Sequence, residues 1–195
     1  MALGLLGGTF DPPHLGHLVL GECARVQFDV ERVCFMPAGD PYRKAARAVT
    51  AADERLAMTR LAIADNEAFG IDAREVERAG PTYTRDTLRE LKREGIGEIV
   101  LILGGDALAD MPNWHEPHEI AALARIVIAP KGLTEAAIAR HASDAGLGEP
   151  PAVVEMPALP ISSSLIRERV RRGLPVRYLV PPAVEDYIQE RGLYR

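Results

Sequence analysis

Short unbroken apolar runs alternate along the chain with longer segments in which apolar residues recur every three or four positions. "MALGLLG" (1–7), "RVCFMP" (32–37), "FGIDA" (69–73), "EIVLILG" (98–104), "RIVIAP" (125–130) and "AVVEMP" (152–157) read as strands. Most lack polar alternation, the pattern of a strand covered on both faces. Between them, "LGHLVLGECARVQF", "AADERLAMTRLAIADN", "TRDTLRELKREG", "HEIAALA" and "LTEAAIARHASDAG" place apolar residues at helical spacing. Thr50, followed three positions later by Asp53, predicts a capping box at the start of the second of these helices, and Gly95 predicts a helix stop.

Strictly alternating strands and helices predict an α/β fold: a doubly wound, mostly parallel sheet with a helical C-terminal end, in a single domain over residues 1–195. "GLGEPP" (146–151) is a candidate joint, but the strand-like "AVVEMP" after it predicts that the sheet continues. In such sheets ligands gather beyond the carboxyl ends of the strands, where the strand order reverses. That rule selects the loops 7–16, 37–49, 104–115, 130–133 and 157–164.

Composition narrows the functional classes. With 195 residues and 47% hydrophobic content, the chain can bury a substantial core. A net charge of −5 argues against general nucleic-acid binding, so an anionic ligand has to be met by a local basic site. No apolar run approaches the roughly 18 residues of a membrane helix, and the N-terminus lacks the features of a signal peptide. Cys23 and Cys34 lack metal-type spacing and read as buried thiols of a cytoplasmic protein with no membrane partner.

Two of the selected loops carry candidate chemistry. In "GGTFDPPHLGH", Gly7 and Gly8 follow the first strand and admit close approach of a ligand to the backbone. Pro12 and Pro13 stiffen the loop, and a helix is predicted to start near His14. His14 and His17, three apart, then share one face, where both could donate to a phosphate beside the helix N-terminus. The same pair could be structural, or two zinc ligands; no third ligand at metal spacing accompanies it, so metal ranks well below phosphate. In "LPISSSLIRERVRRG" (159–173), Ser162 or Ser163 is placed to cap a helix, with Arg167 one turn in on the same side. Uncovered amides, hydroxyls and a guanidinium make a pocket for a triphosphate; a plain cap with solvated arginines is the competing reading.

"GTFDPPHLGH" resembles the H-x-G-H signature of the nucleotidyltransferase superfamily, and "ISSSLIRER" resembles its second signature, commonly I-S-S-T-x-I-R. "GPTYTRDTLREL" (80–91), "GGDALADMPNWHEPHEI" (104–120) and "YLVPPAVEDYIQERGLY" at the C-terminal end are similar to bacterial nicotinate-nucleotide adenylyltransferases, a resemblance running from Leu3 to Tyr194. It implies a Rossmann-like fold and transfer of the adenylyl group of ATP to nicotinate mononucleotide, with Mg²⁺ carried on the ATP phosphates. It also implies roles: His14, His17 and Arg167 at the reacting phosphates, and Gly7, Gly8, Thr9 and Phe10 along the nucleotide cleft. Asp106 would serve the adenosine end, Ser162 and Ser163 the triphosphate, Tyr83, Thr84 and Trp114 the pyridine ring, and Lys44 the substrate phosphate. Association into a homo-oligomer stays open.

Physical chemistry is compatible with these roles. Trp114, the single tryptophan, offers a flat apolar face to a flat ring, and its setting "MPNWHEP" is loop-like. The "PTYT" turn can offer amides and hydroxyls to a carboxylate, although Thr84 could equally cap the following helix. Asp106 could likewise cap the segment after strand 98–104. This chain departs from the family pattern in having Arg43 where histidine is common, Ser164 for threonine, and His115 after Trp114. Arg43 excludes proton shuttling near neutrality at that position, and the 38–49 loop is a candidate lid. The alternatives are a phosphopantetheine adenylyltransferase and a non-catalytic nucleotide-binding module.

Overall fold

Strands β1 (Ala2–Gly8), β2 (Val30–Pro37), β3 (Phe69–Ile71), β4 (Glu98–Gly104), β5 (Arg125–Ala129) and β6 (Ala152–Val153) occupy the six predicted runs. In this computed structural model, which describes residues 2–39 and 49–195, they form one sheet in the order β3-β2-β1-β4-β5-β6. All five pairings are parallel. Nine helices are described: α1 (Leu15–Gln27), α2 (Ala52–Ile63), α3 (Arg74–Glu77), α4 (Thr84–Arg93), α5 (Gly105–Asp110), α6 (Pro117–Leu123), α7 (Glu135–Asp144), α8 (Ser163–Arg171) and α9 (Pro182–Glu190). The short α3 and α5 were not expected, because one turn of chain is too brief to show a helical period.

The sheet separates two cores, and the pleat of its central strands decides which residue serves which. Leu6, Val100 and Ile102 face one side with Leu20, Phe35, Met58, Ile166 and Val184, drawn from α1, α2, α8, α9 and β2. Leu5, Ile99, Leu101 and Leu103 face the other with Leu88, Leu108, Ile120 and Ile138 of α4 to α7. Adjacent residues of a strand thus serve opposite cores, which is why the central strands read as continuous apolar runs.

Two expectations need correction. Thr50 and Asp53 form no capping box: the residue before α2 is Ala51, without a side-chain cap. Thr50 instead gives its carbonyl to Arg55 Nε at 2.9 Å. β6 is also shorter than its apolar run. Past Val153 the side chain of Gln27 takes over from a neighbouring strand, its Nε2 donating to Val153 O at 2.9 Å and its Oε1 accepting from Glu155 N–H at 2.8 Å. Gly95 does end its helix, with φ 87° and its N–H bonded to Lys92 O at 3.1 Å.

Candidate active site

From β1 the chain builds outward to β2 and β3, then crosses back to lay β4 on the other side of β1. The crevice at this reversal is where a doubly wound sheet binds ligands. A cleft of about 690 Å³ opens there, over the carboxyl ends of β1, β4 and β5. Gly7, Gly8, Thr9, His14, His17, Tyr83, Thr84, Asp106 and Trp114 all line it.

The loop after β1 brings the two histidines together. His14 occupies the N-cap position of α1, and its ring stacks on that of His17 with centroids 3.7 Å apart. The backbone N–H of His14 donates to His17 Nδ1 at 3.2 Å. A neutral His17 therefore carries its proton on Nε2, as a donor. Phe10 lies beneath this pair rather than in the cleft. Its ring is 2% exposed and meets His17 edge-on at 5.0 Å. Its φ of 49° is left-handed, a strained conformation for a bulky residue held by the surrounding packing. A Cβ on Gly8 would stand 3.0 Å from the Phe10 ring, so glycine there accommodates the buried phenyl.

His14 is buried, and its Nδ1 makes no hydrogen bond among the described residues. Burial, reinforced by the positive charge of Lys131, lowers its pKa to about 4. The native ring thus stays neutral where an unfolded one, with a pKa near 6.5, takes up a proton. Stability is expected to fall as pH drops from about 6.5 toward 4, because the unfolded chain binds more protons there. Urea titrations at several pH values check this: His14→Gln should flatten that part of the profile relative to the parent, and identical profiles would refute it.

Ser162, Ser163 and Arg167 sit behind the loop, outside the cleft lining. Ser162 Oγ caps α8 by accepting from Leu165 N–H at 3.2 Å, and Ser163 Oγ donates to Pro12 O at 2.9 Å. Arg167 is buried; its guanidinium donates to Asp11 O and, at 3.0 Å, to Ser164 Oγ, and lies 3.5 Å from Asp11 Oδ2. Tyr194 Oη donates to the other Asp11 oxygen at 2.8 Å. The second motif thus binds the first from behind. The first amide of α1 is also engaged, Leu15 N–H donating to Leu179 O at 3.0 Å.

Trp114, also on the cleft wall, is half-buried against the second core, and its Nε1 donates to Asp110 Oδ2 at 3.3 Å. Tyr83 packs its ring on His115, centroids 4.7 Å apart. Thr84 does not cap α4: Tyr83 holds the cap position and Thr84 begins the helix. Nor does Asp106 cap α5, whose N-cap is Gly104; its carboxylate pairs with Lys131 across the cleft mouth. Lys44, Arg43 and nearly all of the candidate lid lie outside the described residues.

Three residues that sequence reasoning did not single out shape this site. Lys131 is the first cation after β5, in a loop the topology rule had selected. Arg55, 1% exposed, donates to Thr9 O at 2.8 Å, Gly39 O at 2.7 Å and Thr50 O, joining the loops after β1 and β2. Glu75 is a buried carboxyl on the cleft wall. An arginine inside a helical pattern, or a glutamate in a connecting segment, carries no sign that it will be buried. Among the described residues no group of three His, Cys, Asp or Glu is arranged to hold a metal ion, and no helix is long and apolar enough to cross a membrane.

Comparison with known proteins shows the family and the fold. Residues 5–169 match the cytidylyltransferase-like family. A nicotinate-nucleotide adenylyltransferase of Synechococcus sp. is 43% identical over 194 residues, covering 98% of this chain and 94% of that protein. One from Roseiflexus sp. is 44% identical, covering 99% and 98%. Among solved structures, the Plasmodium falciparum nicotinic acid mononucleotide adenylyltransferase complexed with NaAD superposes with a TM-score of 0.76 at 19% identity, covering 99% of this chain and 97% of that one. The chain belongs to the nicotinate-nucleotide adenylyltransferase family, within the cytidylyltransferase-like proteins.

Proposed function

We propose that this enzyme transfers the adenylyl group of ATP to nicotinate mononucleotide, giving nicotinic acid adenine dinucleotide and diphosphate in NAD biosynthesis. A single observation carries the reading: one cleft at the strand-order reversal is lined both by a stacked histidine pair and by an indole. In this reading a phosphate oxygen of the mononucleotide attacks the α-phosphorus in line. The new P–O bond forms as the bond to the β-phosphate oxygen breaks, and diphosphate leaves with the electron pair. The attacking phosphate, with a second pKa of about 6, is already largely ionised at neutral pH, so no protein base is needed. The protein's task is to align two anions and meet the charge that develops.

His17, donating through Nε2, is the residue we assign to the reacting α-phosphate, with neutral His14 beside it. Gly7, Gly8 and Thr9 would admit the nucleotide, and Asp106 the ribose, releasing Lys131 toward phosphate. Arg167, with Ser162 and Ser163, supports this reading by holding the histidine loop, a positioning role in place of the direct triphosphate contact that the sequence motif implies. Lys44 is proposed for the mononucleotide phosphate on sequence similarity alone. The described residues offer no cage for Mg²⁺; the ion would arrive on ATP, held by phosphate oxygens and water, screening the triphosphate. The demand for ATP and the unpaired thiols of Cys23 and Cys34 favour the cytoplasm.

Purified protein with ATP, Mg²⁺ and, separately, nicotinate mononucleotide, its amide and phosphopantetheine tests the assignment by diphosphate release. Nicotinate mononucleotide should be the preferred acceptor. Preference for phosphopantetheine, or no release with any acceptor, would replace the reading with one of its two alternatives. Trp114→Ala should raise KM for the mononucleotide roughly tenfold, the loss of about 1.4 kcal/mol of stacking, with KM for ATP nearly unchanged. An unaltered mononucleotide KM would remove Trp114 as the ring platform.

A further inference from the structure

Glu75 is a buried ionisable group that the chemistry of transfer does not use. It lies in the single turn α3, is 5% exposed, and its side chain borders the cleft near Tyr83 and Thr84. Thr87 Oγ1, itself fully buried, donates to Glu75 Oε1 at 2.9 Å. Thr82, also buried, lies beside the same carboxyl, and its hydroxyl favours the charged form. Arg78 supports the arrangement, donating to Thr87 Oγ1 at 3.3 Å and pairing with Glu90 at 2.6 Å. Burial pushes the Glu75 carboxyl up from its usual range, while the Thr87 hydroxyl, the Arg78 charge and the Thr82 hydroxyl draw it back.

Thr82 and Thr87 flank Tyr83 and Thr84, the two cleft residues on the turn into α4. One carboxyl is therefore tied to Thr87, just past that turn, with Thr82 beside it just before. Its own backbone is fixed as well. A Cβ on Gly39 would fall 1.9 Å from Glu75 O, so only glycine lets the start of the loop after β2 pack directly on it, and Gly39 O is in turn held by Arg55. The turn is thereby referenced to the loops at the sheet's end through the Thr87–Glu75 hydrogen bond, the packing of Glu75 on Gly39 and the Arg55–Gly39 hydrogen bond in series. Such polar networks fix geometry when every member is satisfied.

We infer that Glu75 is a positioning residue for the mononucleotide subsite: through its hydrogen bond with Thr87, and its backbone packed on Gly39, it fixes the turn carrying Tyr83 and Thr84, and so sets affinity for the pyridine nucleotide without touching ATP. This rests on the function proposed above. A network of this kind acts through acceptor geometry, not through the carboxylate's charge on the substrate. Removing it loosens the turn, which costs binding of the acceptor in acid and amide forms alike.

The test pairs steady-state kinetics with mononucleotide binding followed by the fluorescence of Trp114, the chain's single tryptophan. Glu75→Ala and Thr87→Val should each weaken mononucleotide binding and raise its KM roughly tenfold, the cost of losing buried hydrogen bonds. KM for ATP and kcat should stay within about twofold, and the double variant should be little worse than either single one, because both break the same link. Thr87→Ser, which keeps the hydroxyl, should restore affinity. Glu75→Gln, which keeps an acceptor oxygen but no charge, should shift acid and amide substrates by the same small factor. Three results would overturn the inference: unchanged mononucleotide affinity in Glu75→Ala, equal losses for ATP and mononucleotide, or selective tightening of the acid by Glu75→Gln. If the parent protein turns over no pyridine nucleotide, the functional reading fails, and the fluorescence titrations still decide the role of Glu75.

Discussion

Replacing His17 with alanine is expected to lower kcat by roughly a hundred- to a thousandfold, the usual cost of one transition-state donor. The geometry explains why the loss should fall on the chemical step. His17 Nδ1 is committed to the His14 amide, so the other ring nitrogen carries the proton and the ring cannot swing to another tautomer without breaking that bond. Phe10 and His14 hold the ring from two sides, and the donor is preorganised before substrate arrives. Folding should persist, since His17 is only half-buried and contributes little to either core. Single-turnover rates on a folded variant measure the effect directly. Near-parental turnover would remove His17 from the reacting phosphate.

Arg55→Met should be the most destabilising of the substitutions considered, lowering stability by about 3 kcal/mol. In a chain of this length that is on the order of 10 °C in Tm. Burial depresses the Arg55 pKa, and the nearby negative charge of Asp11 opposes that shift. The guanidinium offsets its desolvation by donating to the carbonyls of Thr9, Gly39 and Thr50. Methionine fills similar space but offers no donors, so three carbonyls lose their partner. Because Thr9 and Gly39 belong to two loops at the cleft, kcat/KM for both substrates should fall with stability. Arg55→Lys should recover only part of either loss, since an ammonium cannot reproduce the planar fork. Calorimetry and kinetics on the two variants test this, and an unshifted Tm in Arg55→Met would show the clamp to be dispensable.

The histidine pair shows how far local pattern reaches. Spacing of three, after glycines and prolines at the end of an apolar run, was enough to place both rings on one face of a helix start at the mouth of the sheet. It could not reveal that the rings stack, that His14 is buried and held neutral, or that its neighbour's tautomer is fixed. Those depend on how the loop folds back on itself around Phe10, on burial against the sheet, and on Lys131 from the distant loop after β5. The serine motif shows the opposite outcome. Ser162 caps α8 as its type and position suggest, but Arg167 turns inward to Asp11 instead of into the cleft, because the loop after β1 lies against the start of α8.

What the sequence determined by itself is therefore the periodic part: short apolar runs that read as strands, most of them covered on both faces, helices between them, and a doubly wound class that places ligands in the loops beyond the strands' carboxyl ends. Those follow from local rules, since burial on two faces and helical spacing are written into neighbouring residues. Only the tertiary structure decided which charged side chains would be buried. Arg55 and Arg167 read as surface residues of helices and Glu75 as part of a connecting segment, and each becomes a buried anchor because carbonyls or hydroxyls from elsewhere in the chain converge on it. A hydrogen-bond partner supplied from elsewhere in the chain leaves no periodic trace, yet it is what holds the cleft in shape.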